Sequence, residues 1–330
     1  RLDNVPTVDY QRAKTRRDKV TRRIASTFER VGEMIGDDPE IVRWVEMESG
    51  GRGDRRKAVR TCPITVAPFL REHLFGKTPT ALVSATLAVK GSFDYVAGRL
   101  GIDRLVSLDV GTPFAFERQA RLYVPAIPAP ERRDLARWEE AVDKEIIELV
   151  RASRGRALVL FTSLKHMREC AARVGQHIPH TVLVQGQNGI SVGELTRRFR
   201  EETDSVLFGT RSFMTGVDVQ GEALSLLIVT KMPFPVPDEP LTQARCEQII
   251  AAGGSDFRDY TIPVMSLVLQ QAVGRLIRHR NDMGVAAILD PRMLDKPYGK
   301  QIVADLPPMR RTRSLADVQE FFAIPEPVPA

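Results

Sequence analysis

From about residue 113 onward, the chain alternates between two hydrophobic patterns. Short apolar runs at 157–162, 181–184, 205–208, 224–230 and 285–289 have no polar face. Most are separated by stretches at 164–174, 192–202, 241–252 and 265–278, where apolar residues recur every three or four positions. A longer helical stretch, 131–151, precedes them. Runs that are apolar on both faces predict strands buried on both faces, and helices between them supply the crossovers of a parallel sheet. The fold class is therefore α/β, a parallel sheet flanked by helices.

The first 112 residues are less regular. Over residues 1–36, Val20, Ile24, Phe28 and Val31 repeat at helical spacing, and Asp37-Asp38-Pro39 breaks the pattern. This predicts an amphipathic helix that packs on something nearby. Runs at 41–45 and 81–83 predict strands, with a turn and helix over 63–75 between them, too little for a complete domain. The expected organisation is a helical segment (1–36), the end of one domain (37–112), a complete domain (113–323) and a Pro-rich, disordered tail (324–330). No run approaches the ~18 apolar residues of a membrane span. Neither a secretory leader nor a membrane partner is expected, and a cytoplasmic location is. The chain begins with Arg1, which fits a fragment or processed form.

Composition changes this picture little. A net charge of +6 and a pI of about 9.4 favour a polyanionic partner modestly. Arg outnumbers Lys, which suits bidentate phosphate contacts or simply a GC-rich genome. Cys62, Cys170 and Cys246 lie far apart. They predict reduced thiols, with no zinc site, disulfide framework or iron–sulfur cluster in this chain.

Four segments carry candidate chemistry. In Gln271-Ala-Val-Gly274-Arg275-Leu-Ile-Arg278, a continuous helix would set Gln271, Arg275 and Arg278 within roughly 60° of one another. Met265, Leu269, Val273 and Leu276 would then face the core. Two guanidiniums beside a glycine can clamp phosphoryl oxygens, and two solvated arginines on a surface helix fit the same spacing. In 207–221 an apolar strand ends in Gly209-Thr210, followed by Ser212, Gly216, Asp218 and Gly221. Hydroxyls and N–H groups at a strand's carboxyl end are where open α/β sheets bind ligands. An ordinary Gly-rich turn has the same sequence. Two further strand ends, Thr162-Ser163 and Ser84-Ala-Thr86, also expose hydroxyls, and the first pair equally fits an ordinary helix cap.

Taken in order, these segments resemble the later motifs of the DinG/XPD-type superfamily 2 DNA helicases. The resemblance runs from about Trp44 to Arg292. Val83-Ser84-Ala85-Thr86-Leu87 is similar to the family's TSATL, and 158–163 to its LVLFTS block. Residues 209–221 match GTxSFWEGVDxxG, 232–241 match the LPFPVPxxPL loop, and 271–278 match QxxGRxIR. The resemblance implies RecA-like, P-loop NTPase-type domains facing each other across ATP and Mg²⁺, with 5′→3′ movement on single-stranded DNA. It implies that Arg275 and Arg278 reach the γ-phosphate with Gln271 and Gly274 nearby. Gly216, Asp218, Ser84 and Thr86 would bind nucleotide and couple it to DNA. Thr162, Ser163, Thr210 and Ser212 would touch the DNA backbone. Phe234 would stack on a base or plug the core.

Some of the family pattern is missing. The sequence has no GxxxxGK[ST] and no DEAH-type acidic pair after a strand, and Met214-Thr215 stands where the family has Trp-Glu. The expectation is a chain holding the end of an arch-like insertion, the last part of a first RecA-like domain and a whole second one. Alone it would be inactive until an N-terminal helicase domain, in the same or another chain, completes the site. The competing expectation is a degenerate or split subunit that binds DNA or a partner without turning over ATP. DNA repair, phage or plasmid and CRISPR-associated settings are all compatible with the motifs.

Overall fold

The computed structural model of the 330-residue chain describes residues 7–49, 55–187, 189–215 and 224–323. It separates into two compact units. One comprises Arg1–Thr78, Arg99–Gly101 and Val236–Asp256, the other Pro79–Gly98, Ile102–Pro235 and Phe257–Ala330.

The smaller unit begins with α1 (Thr7–Ile35), whose spacing was legible in the sequence. Its apolar stripe is uncovered, with Val20 50%, Ile24 52% and Phe28 74% exposed. The run at 41–45 is longer than the sequence suggested. It forms β1 (Ile41–Ser49), paired antiparallel with β2 (Arg55–Pro63) from Ile41↔Pro63 to Ser49↔Arg55. The helix Pro240–Ala251 packs on this hairpin. Arg245 Nε donates to the Ile64 carbonyl at 2.9 Å.

The larger unit is built on β3 (Ala120–Tyr123), α2 (Leu135–Ser153), β4 (Ala157–Leu160), α3 (Leu164–Val174), β5 (Val182–Val184), α4 (Val192–Glu201), β6 (Val206–Gly209), β7 (Leu226–Val229), α5 (Ile262–Val273), β8 (Gly284–Ile288), β9 (Arg310–Thr312) and α6 (Leu315–Ala323). The strands form one seven-stranded sheet in the order β5-β6-β4-β7-β8-β3-β9, parallel throughout. The α/β, RecA-like class is thus observed. Alternation along each strand divides the core in two. Leu158, Leu160, Leu207, Leu227, Val229 and Ile288 join residues of α4 and α5 on one face. Val159, Phe161, Val206, Phe208, Ile228 and Ala287 join α2, α3 and α6 on the other. Because both faces are filled, polar side chains leave the central strands β4, β6, β7 and β8 only at their ends.

Two strands were not read from the sequence. β3 is short and interrupted by Arg121, and β9 is an edge strand of Arg310, Arg311 and Thr312. Conversely, 81–83 is not a strand. Val83 is 93% exposed, and nearby only an isolated bridge, Val89 to Ser92, is formed. A strand needs a neighbour for its N–H and C=O groups, and among the described residues that segment has none. Residues 1–6 and the 324–330 tail lie outside the described residues. Among the described residues no helix is long and apolar enough to cross a membrane.

Trp138 ties α2 to the sheet. It is 2% exposed, and its Nε1 donates to the Leu289 carbonyl at 3.0 Å. Trp138→Ala is expected to cost about 3–5 kcal/mol, and Trp138→Phe about 1–3 kcal/mol for the orphaned carbonyl. Denaturant midpoints followed by circular dichroism check both. His166 lies between Trp138 and Phe161, with ring centroids 5.1 and 5.2 Å away. Burial pushes its pKa below the ordinary histidine value, only partly offset by Glu139 and Asp143. The unfolded chain therefore binds a proton that the folded chain resists. Stability from His166 is full above pH ~6.5 and declines as pH falls. His166→Phe should flatten that acid-side slope when midpoints at pH 7.5 and 5.5 are compared.

Candidate functional site

Read along the sheet, the carboxyl ends of the strands carry Gln185 (after β5), Thr210 (β6), Thr162 and Ser163 (β4), Thr230 (β7) and Asp290 (β8). Thr162 and Ser163 are exposed where α3 begins. The Ser163 hydroxyl caps that helix, accepting from His166 N at 3.3 Å. The positive end of the α3 dipole thus underlies two hydroxyls, an arrangement that attracts phosphate. Thr230 is fully buried and its hydroxyl donates to Leu160 O at 3.1 Å, so it serves the fold.

Thr210 and Ser212 are held by a residue the sequence reading passed over. Gln185 Oε1 accepts from both Thr210 N (2.8 Å) and Thr210 Oγ1 (2.9 Å). Its Nε2 donates to Ser212 Oγ at 3.0 Å. One amide thereby fixes both hydroxyls of the turn after β6. The signal was present: Gln185-Gly186 follows an apolar strand as Thr162 and Thr210 follow theirs. Gly209 permits the turn, because a Cβ there would sit 2.6 Å from Phe213 Cδ2. Phe213 belongs to the short helix Arg211–Thr215 and is fully buried, as is Met214 beside it. Gly216, Asp218 and Gly221 lie outside the described residues.

The Gln271–Arg278 segment departs from the expected continuous helix. α5 ends at Val273 and Gly274 caps it, so Arg275 and Arg278 sit in the loop leading to β8. Gln271 is exposed on the last turn. Arg275 is 8% exposed, and its Nη1 donates to the Phe213 carbonyl. This bond joins the arginine loop to the turn carrying Thr210 and Ser212. The loop is itself braced. Asp282 Oδ2 accepts from Arg278 N (2.7 Å) and His279 N (2.8 Å), and Gln119 Nε2 donates to the carbonyls of His279, Arg280 and Asp282. Met265, Leu269, Val273 and Leu276 are buried as expected.

Ser84 is exposed, and its Oγ accepts from Thr86 N at 3.2 Å. Two residues on, the Ala88 carbonyl accepts from Gln270 Nε2 at 3.2 Å, which tethers this segment to α5 beside Gln271. Phe234 is half-buried near Phe257 and Tyr298, with the Arg292 guanidinium 5.6 Å above its ring.

Asp290-Pro-Arg292, which reads as a simple turn, is a buried ion pair. Asp290 is fully buried and receives Arg292 through two bonds, Nε to Oδ1 at 2.8 Å and Nη2 to Oδ2 at 2.6 Å. Oδ2 also accepts from Met232 N at 3.1 Å, which pins the start of the Pro-rich loop. Burial and the nearby Arg292 lower the pKa of Lys231, while Asp290 pulls the other way. Among the described residues no group of three or more His, Cys, Asp or Glu is positioned to hold a metal ion. Of the two guanidiniums that follow Gly274, that of Arg275 is buried and that of Arg278 is half-exposed on a pinned backbone.

Residues 146–309 match the family described as the helicase C-terminal domain. The chain is 37% identical over 288 residues to the ATP-dependent helicase DinG of Mycobacterium tuberculosis H37Ra, covering 86% of this chain and 43% of that protein. It is 37% identical over 292 residues to the ATP-dependent DNA helicase YoaA of Escherichia coli K12, covering 88% and 44%. By sequence the chain is similar to the DinG and YoaA helicases over a part that includes the helicase C-terminal domain. An apo XPD structure superposes with a TM-score of 0.60 at 17% identity, covering 94% of this chain and 63% of that one, and shares the fold. The chain spans less than half the length of the curated relatives it matches.

The buried pair yields a direct test of this domain's stability. Arg292→Met leaves the Asp290 carboxylate buried and unpaired, and is expected to cost about 3–5 kcal/mol. Adding Asp290→Leu should recover most of that loss. Denaturant midpoints of the single and double variants measure the difference.

Proposed function

We propose that this chain supplies the second RecA-like half of an ATP-dependent DNA helicase or translocase that moves 5′→3′ on single-stranded DNA. In this reading residues 113–323 form that half, 37–112 end the first RecA-like domain and 1–36 end the arch-like insertion. Arg275 and Arg278 reach the γ-phosphate as arginine fingers, with Gln271 and Gly274 beside them. Thr162, Ser163, Thr210 and Ser212 hold the DNA backbone, and Phe234 faces the strand. Gly216 and Asp218, with Ser84 and Thr86, bind nucleotide and link it to DNA.

The observation that carries the proposal is the bond from Arg275 to the Phe213 carbonyl. A change in how Arg275 meets phosphate must alter the turn that Gln185 fastens to Thr210 and Ser212. ATP and its Mg²⁺ would supply the driving reaction. The guanidiniums would balance the charge that spreads over the transferred phosphoryl group, a contribution of about 10³ or more in rate for such fingers. The phosphate cradle and metal-binding acids would come from an N-terminal helicase domain, since the sequence has no GxxxxGK[ST]. That same lack favours the second reading, a module that binds DNA without turning over ATP.

Arg278 is the cleaner probe, because Arg275 is buried and its loss also orphans a carbonyl. In the complete reading frame, Arg278→Ala is expected to lower DNA-stimulated ATP turnover by about 10³ while single-strand affinity stays within a few-fold. Phosphate release and oligonucleotide anisotropy measure the two. Near-normal turnover in that variant contradicts the finger assignment. No turnover by the unmodified reading frame, with DNA binding kept, supports the binding module.

A further inference from the structure

A cavity of about 370 Å³ opens between α3 and β5, at the edge of the sheet. Its walls include Val182 and Val184 of β5 and Ala172 of α3. Its rim carries Arg168, Gln185 and Gly186. Gly186 turns the chain at φ +74°, and the Arg168 Nη2 would be 3.6 Å from a Cβ placed there, so the guanidinium lies along that rim.

Three observations bear on what the cavity takes. First, it adjoins the DNA-backbone candidates through one residue, because the Gln185 that lines it also holds Thr210 and Ser212. Second, Arg168 stands apart from its neighbours. On the surrounding helices Arg197 pairs with Glu194 and Glu201, Arg198 with Glu202, Arg173 with Asp143 and Arg151 with Glu148. Among the described residues no carboxylate pairs with Arg168, which is exposed. Third, the Gln185 amide is already committed, which leaves the apolar walls, the Arg168 guanidinium plane and, at the mouth, the exposed Gln187. Apolar walls under a guanidinium plane favour a flat face. The volume falls within the ~300–1,000 Å³ typical of small-molecule pockets.

We propose that this cavity seats one nucleobase of a single DNA strand whose backbone runs over the Thr210–Ser212 turn. The base packs against Val182 and Val184, and Arg168 covers its exposed face. The subsite is tolerant of base identity, as a translocating domain requires. This inference rests on the DNA-binding reading above.

The test compares two ligands on the full chain, a short oligothymidine and an equally long strand of abasic sugar–phosphates. Ala172 is exposed, so Ala172→Trp fills the cavity without disturbing the core. The unmodified chain should bind oligothymidine more tightly than the abasic strand in fluorescence anisotropy. Ala172→Trp should weaken oligothymidine about tenfold, in line with the ~1–3 kcal/mol of one stacked base, and leave the abasic strand unchanged. Arg168→Ala should weaken oligothymidine in the same direction. If both variants bind oligothymidine as the unmodified chain does, with unchanged circular dichroism, the subsite is overturned and the DNA-binding reading stands. Failure of the unmodified chain to bind either strand overturns the DNA-binding reading itself.

Discussion

A parallel sheet filled on both faces leaves its polar chemistry nowhere to go except the strand ends, and the rest of this domain follows from that constraint. β4, β6, β7 and β8 are buried along their whole length, with one set of side chains in each half of the core. Hydroxyls, amides and charges therefore gather where the strands stop: Gln185, Thr210, Thr162, Ser163 and Asp290. The flanking helices fix what each group can do. α3 sets its positive end beneath Thr162 and Ser163. α5 stops at Gly274 and releases two arginines into a loop braced by Gln119 and Asp282.

Within this frame, the Arg275–Phe213 bond links the arginine loop to the turn carrying Thr210 and Ser212, where α5 already packs on the helix Arg211–Thr215. Arg275 spends one N–H on a backbone carbonyl in a nearly dry position, where an unpaired partner would be costly. Phe213 is packed against Gly209, which ties its carbonyl to the turn after β6. A stiff contact of this kind transmits displacement. That stiffness makes the loop and the strand-end turn candidates for the two sides of one coupling.

The sequence made the sheet legible because the apolar runs were short, continuous and regularly spaced. It made the family legible because five segments occurred in the family's order, and the relatives bear that out. Features that depend on distant partners were hidden. The run at 81–83 has the composition of a strand but no neighbour to pair with among the described residues. β3 and β9 are strands only because β8 recruits the first and β3 the second, and their arginines mask the pattern. The periodicity of 265–278 carries through Leu276, yet the backbone leaves the helix at Gly274, which no periodicity reveals. Gln185 and the buried role of Asp290 were missed because their partners Thr210 and Met232 lie 25 and 58 positions away.

The measurement closest to the central claim is the affinity of the complete reading frame for single-stranded DNA, with and without a non-hydrolysable ATP analogue, in the unmodified protein and in Arg275→Lys. Lysine keeps the charge but lacks the planar fork that reaches the Phe213 carbonyl while facing a phosphate. The account predicts that the analogue shifts DNA affinity by roughly 5–150-fold in the unmodified protein, and by a small fraction of that in the variant. An equal shift in both proteins would contradict it.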